Sequence, residues 1–129
     1  MAKTLNAFGI ALVLLLTAAP VRSAEFSDIS QPAGVADDGL GKGIAFADID
    51  NDGLVDFYVS NKGGANKLYR NQGNGTFTDI TASAGAGIDH PGFTMGSVFG
   101  DYDNDGLIDL YLATGGQYEI EANRLFRNL

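Results

Sequence analysis

Phe46-Ala47-Asp48-Ile49-Asp50-Asn51-Asp52-Gly53-Leu54-Val55-Asp56-Phe57-Tyr58 is written twice in this chain. It returns 53 positions later as Phe99-Gly100-Asp101-Tyr102-Asp103-Asn104-Asp105-Gly106-Leu107-Ile108-Asp109-Leu110-Tyr111. Two further blocks repeat in the same order. Asn66-Lys67-Leu68-Tyr69-Arg70-Asn71 recurs as Asn123-Arg124-Leu125-Phe126-Arg127-Asn128 at an offset of 57, so the second copy carries four extra residues between Thr114 and Ala122. Phe26-Ser27-Asp28-Ile29-Ser30 matches Phe77-Thr78-Asp79-Ile80-Thr81, and an Ala-Gly pair follows each (Ala33-Gly34, Ala84-Gly85). Three matched blocks establish a duplication, and a duplicated unit of this size is one supersecondary element that must stack on its neighbour to bury a core.

Each copy holds the pattern D-x-D-x-D-G-x-x-D: Asp48, Asp50, Asp52, Gly53 and Asp56, then Asp101, Asp103, Asp105, Gly106 and Asp109. Eight of the sixteen acidic residues therefore fall in two nine-residue windows. Carboxylates crowded in this way repel one another and need a cation between them. Calcium accepts 6–8 oxygen ligands, whereas zinc favours His or Cys and magnesium retains its waters, so two calcium sites are expected. The glycine allows the positive φ of a sharp turn, and position 7 (Leu54, Leu107) can offer only a backbone carbonyl. A helical EF-hand loop opens with the same letters but closes with an acid at position 12. Here position 12 is Val59 or Leu112, the fourth acid stands at position 9, and the flanks read as strands.

The strand reading extends over the whole unit. Gly43–Ala47 and Ser97–Gly100 lead into the acidic loops, and Leu54–Ser60 and Leu107–Ala113 lead out, rich in β-branched and aromatic residues. Lys67–Arg70 and Thr76–Thr81 alternate on either side of the turn Gln72-Gly73-Asn74-Gly75. The expected fold is all-β, built of β-propeller-type blades: two four-stranded antiparallel repeats with calcium loops, in an incomplete propeller. Repeat 1 covers about 43–81 and repeat 2 about 96–129, while a strand at 25–30 completes another blade. Propellers need ~4–8 blades. The final strand expected after Asn128 is missing, so an N-terminal piece of a longer protein is favoured over a ring assembled from several copies through open strand edges.

Composition narrows the function. The 129 residues carry 8 basic and 16 acidic side chains, a net of −8, with 18 glycines and no cysteine. Disulfides, thiol catalysis and Cys-ligated zinc are excluded, and nucleic acid is an unsuitable partner for so acidic a chain. Met1–Ser23 reads as a signal peptide: Lys3, an uncharged stretch over Ala7–Ala19, Pro20, then Val21-Arg22-Ser23 before Ala24. Its removal leaves 6 basic and 16 acidic residues, a net of −10, with no membrane span remaining. The expected location is secreted, extracellular or periplasmic.

With the blocks in hand, the chain resembles the FG-GAP/VCBS repeat family, in the branch of cartilage acidic protein-like and ASPIC/UnbV-associated proteins. The resemblance rests on F-x-D-I-[ST] with its A-G pair, on F-[AG]-D-x-D-N-D-G-L-x-D-[FL]-Y and on N-[KR]-L-[YF]-R-N, and it spans Ala24–Leu129. It implies a secreted β-propeller with structural calcium that serves adhesion or recognition of a protein or carbohydrate ligand and is not an enzyme. Carried over residue by residue, the metal ligands are Asp48, Asp50, Asp52, Leu54 through its carbonyl and Asp56, with Asp101, Asp103, Asp105, Leu107 through its carbonyl and Asp109. The alternatives are a non-catalytic segment of a larger exported enzyme and a self-assembling ring of two-blade chains. No catalytic residue is expected: His90 reads as part of a connector, Gly63-Gly64 and Gly115-Gly116 as turns, and Arg70, Arg124 and Arg127 as structural ion-pair partners. Tyr118, in the four-residue insertion, is a recognition candidate.

Overall fold

The computed structural model describes residues 23–116 and 120–129. The segment expected to be a signal peptide, apart from Ser23, and Tyr118 lie outside the described residues. Seven strands follow one another: β1 (Gly41–Ala47), β2 (Asp56–Asn61), β3 (Lys67–Asn71), β4 (Phe77–Asp79), β5 (Thr94–Gly100), β6 (Asp109–Thr114) and β7 (Arg124–Phe126). They form two antiparallel sheets in sequential order, β1-β2-β3-β4 and β5-β6-β7. The described residues contain no helix, and so none long and apolar enough to cross a membrane.

The duplication is reproduced in the register. Ala47 pairs with Asp56 across the first acidic loop, and Gly100 pairs with Asp109 across the second. Both inner strands slip register at the same place, between Gly41 and Gly43 and between Thr94 and Gly96. The outgoing strands begin two residues later than their apolar composition predicts, at Asp56 and Asp109 instead of Leu54 and Leu107. Gly53 (φ 85°) and Gly106 (φ 87°) are left-handed, and the next amide is bound to a loop aspartate, so residues 53–55 and 106–108 stay in the turn.

One expectation needs correction. Residues 25–29 form no strand; Phe26 is exposed and no described strand lies beside the segment to pair with it. Its likeness to Phe77–Thr81 is real, but a strand also needs a partner, and β4 has one in β3. The Ala33-Gly34 turn that follows is ordered by packing against the first sheet, where the Phe77 amide donates to the Ala33 carbonyl. The second repeat shows three strands among the described residues, as expected of a copy that lacks the strand after Asn128.

The core lies between the two sheets. Tyr58 and Leu68 from the first sheet meet Leu110 and Leu112 from the second, with Ile88 of the connector inserted among them and Ile49, Ile80, Phe99 and Phe126 around the rim. Tyr58 is wholly enclosed and donates its hydroxyl to the Ile88 carbonyl at 2.6 Å. Burial pushes the phenol well above its ordinary pKa, which keeps it a donor. Tyr58→Phe is expected to lower stability by about 1–2 kcal/mol, because the buried carbonyl loses its partner; urea unfolding measures it.

Candidate metal centres

Each acidic loop closes on itself through its own carboxylates. Asp48 accepts the amides of Asp52 (3.0 Å) and Gly53 (2.8 Å), and Asp52 accepts that of Leu54 (2.9 Å). In the second loop Asp101 accepts Asp105 (3.1 Å) and Gly106 (3.0 Å), and Asp105 accepts Leu107 (2.9 Å). The chain can turn this tightly because Asn51 (φ 57°) and Asn104 (φ 59°) adopt the left-handed conformation that Asn tolerates better than most residues. Those two asparagines are structural requirements of the loop that the carboxylate spacing alone does not reveal.

The position-9 aspartates anchor the loops to the sheets. Asp56 is fully buried; it accepts the Ile49 amide at 3.1 Å on one oxygen and the Asn71 amide at 2.7 Å on the other. Asp109 repeats the arrangement with Tyr102 (3.1 Å) and Asn128 (2.8 Å). As a result, one oxygen from each of Asp48, Asp50 and Asp56 lies within 4.8 Å of the others, and the same holds for Asp101, Asp103 and Asp109. Asp52 and Asp105 fall outside these triplets, held by their own loop amides and by arginine, and Leu54 and Leu107 stand at the loop exits with their amides engaged.

The arginines are the part of the site that the residue pattern leaves unplaced. Arg70 sits on β3, and its Nε lies 3.0 Å from Asp50, with a further nitrogen 4.0 Å from Asp52. Arg127 takes the same position over Asp103 (2.9 Å) and Asp105 (2.7 Å). The Leu107 amide and the Arg127 guanidinium hold the Asp105 carboxyl below its usual range. The expectation of structural ion pairs holds for both, and their partners prove to be the loop acids. The third sequence block thus belongs to the same functional unit as the acidic loop. Its Arg neutralises positions 3 and 5, and its last Asn donates a backbone amide to position 9.

The donor set fits a hard cation. It offers carboxylate oxygens only, with no nitrogen or sulfur ligand, and each oxygen already accepting one amide retains a second lone pair. Arg70 and Arg127 offset part of the repulsion but lie on the solvent side, half-exposed, and the buried Asp56 and Asp109 form no ion pair among the described residues. His90 contributes nothing here. It is buried in the connector between β4 and β5, with Nε2 3.1 Å from Glu121, whose carboxylate also accepts the Phe93 amide. That contact ties the connector to the segment before β7.

Known proteins carry the same pattern. The FG-GAP-like repeat family matches residues 48–112, just over half of the chain, from the first loop aspartate to the middle of β6. Cartilage acidic protein 1 of Mus musculus is 36% identical over 83 residues, which is 64% of this chain and 13% of that protein. Its Homo sapiens counterpart is 34% identical over 83 residues (64% and 12%), and that of Xenopus tropicalis 37% over 70 residues (54% and 11%). The matched part of the chain therefore spans only about an eighth of the length of these relatives. With both loops, their glycines and their blade-like sheets in place, the chain belongs to the FG-GAP-like repeat family.

Proposed function

We propose that the chain is an exported recognition module in which two structural calcium ions lock the loops joining β1 to β2 and β5 to β6. The observation that carries this reading is the pair of carboxylate triplets, Asp48/Asp50/Asp56 and Asp101/Asp103/Asp109, each with one fully buried member. A buried carboxylate beside two others is destabilised unless a proton or a cation balances the charge, and at neutral pH a bound calcium ion does so. Asp52 and Asp105, and the carbonyls of Leu54 and Leu107, complete the oxygen shell that calcium requires. The module binds a protein or carbohydrate partner and performs no chemistry itself; His90 is occupied by Glu121 and serves the fold. Export is supported by the apolar leader over Met1–Ser23 and by relatives named as acidic proteins of cartilage.

Tyr102 lies inside the second loop, next to Asp101 and Asp103. Terbium replacing calcium there is expected to emit on tyrosine excitation. Asp103→Ala combined with Asp105→Ala should remove most of that emission, and a native protein without any would contradict the calcium reading.

A further inference from the structure

One residue holds both acidic loops. Asn128 follows β7, and its backbone amide donates to Asp109 Oδ1 at 2.8 Å, within the second carboxylate triplet. Its side chain runs the other way. Nδ2 donates to the carbonyl oxygen of Ile49 at 2.9 Å, in the first loop and 79 positions back along the chain. The orientation of this amide is fixed by its neighbours. The Ile49 carbonyl can accept only from Nδ2, and Oδ1 takes the Leu129 amide at 3.1 Å.

Ile49 stands between two members of the first triplet, Asp48 and Asp50. Its amide donates to the buried Asp56 at 3.1 Å, and its carbonyl belongs to the peptide that leads into Asp50. Because a peptide is planar, holding that carbonyl fixes the plane from which Asp50 leaves the backbone. The geometry of the first loop therefore depends on a residue of the second repeat.

The first repeat shows the other arrangement open to this asparagine. Asn71, 57 positions earlier, is the same residue of the same block, and its backbone amide donates to Asp56 at 2.7 Å as that of Asn128 does to Asp109. Its Nδ2, however, folds back on its own loop and donates to the Val55 carbonyl at 3.0 Å. The counterpart of Val55 in the second loop is Ile108. An asparagine at this position thus has two discrete partners, the exit carbonyl of its own loop or the entry carbonyl of the neighbouring one. A two-state element that both sites bias is what coupling between them requires.

We propose that Asn128 couples the two metal centres, so that an ion bound in either loop raises the affinity of the other. This coupling rests on the calcium sites proposed above. Occupancy of the second loop fixes Asp109 and with it the Asn128 backbone, which presents Nδ2 to Ile49. The first loop then has the peptide before Asp50 ordered in advance, and less conformational freedom remains to be lost when its own ion arrives. Linkage makes the effect equal in the reverse direction. One partly buried hydrogen bond corresponds to about a three- to tenfold change in affinity.

Calorimetric titration with calcium at ~0.15 M salt, where repulsion between the two ions is largely screened, tests the proposal. Asp50→Ala leaves only the second loop competent and Asp103→Ala only the first, both at exposed positions. The product of the two association constants of the native chain is expected to exceed the product from these two variants by about three- to tenfold. Asn128→Ala keeps the backbone amide on Asp109 and removes the reach to Ile49, and in that background the ratio is expected to fall to about one. A merely structural role would weaken the individual constants and leave the ratio in place. Asn128→Asp, which is isosteric but turns an oxygen toward the Ile49 carbonyl, replaces Asn128→Ala if that variant loses its β-sheet circular dichroism. Two ions bound with a native ratio of about one overturn the coupling and leave the calcium sites standing. A ratio that survives loss of the Asn128 side chain overturns it equally. A native chain that binds no calcium overturns the sites themselves and the coupling with them.

Discussion

Replacing Asp56 by alanine is expected to cost the fold roughly 2–4 kcal/mol and to abolish metal binding at the first loop. The carboxylate is fully buried and receives the amides of Ile49 and Asn71. Truncation leaves both donors without an acceptor, at about 1–3 kcal/mol for a fully buried group and less here, because water reaches part of this site. Relief of repulsion with Asp48 and Asp50 returns a fraction of that loss. Asp56→Asn separates the two roles: the amide oxygen can still accept one N–H, but its NH2 faces the other donor. That variant should unfold at lower urea than native in the presence of a chelator, and should also bind one metal ion fewer. Asp109, which holds Tyr102 and Asn128 in the same way, is expected to behave alike at the second loop.

Calcium itself should stabilise the chain more than any single side chain does. A ligand that binds only the folded state adds about 2.7 kcal/mol at a concentration 100 times its dissociation constant. Two sites would therefore contribute roughly 5 kcal/mol. In a domain of this size 1 kcal/mol moves the melting temperature by about 4–8 °C, so chelation is expected to lower it by roughly 20–40 °C. The effect follows from the composition. With no cysteine there is no disulfide, and the core between the sheets is small, centred on Tyr58, Leu68, Ile88, Leu110 and Leu112. The acidic loops add repulsion that Arg70 and Arg127 offset only in part. Thermal melts with calcium and with excess chelator measure the difference, and equal melting temperatures would contradict it.

The acidic loops were legible from spacing. Alternate aspartates, a glycine and a ninth-position acid, set between strands and written twice, describe a tight turn that gathers its carboxylates. The order of the strands was equally legible, since each repeat is a simple antiparallel meander. What residue patterns could not supply was anything that depends on register. Arg70 and Arg127 read as ordinary strand arginines until the pairing of Tyr58 with Leu68, and of Tyr111 with Leu125, places them over the loop acids. The role of Asn71 and Asn128 is invisible for a related reason: they act through backbone amides, which every residue but proline possesses. Residues 25–30 show the opposite failure, where a strand-like pattern lacks a neighbour to pair with. The left-handed Asn51 and Asn104 could have been inferred, because Asn before an Asp-Gly in a tight loop is a known turn signal.

The most direct measurement is a calorimetric titration of the chelator-treated native chain with calcium. The expected stoichiometry is two ions per chain, one for Asp48/Asp50/Asp56 and one for Asp101/Asp103/Asp109, falling to one in Asp56→Asn. An absence of binding at millimolar calcium, or a stoichiometry that Asp56→Asn and Asp109→Asn both leave unchanged, would contradict the assignment of these loops as calcium sites.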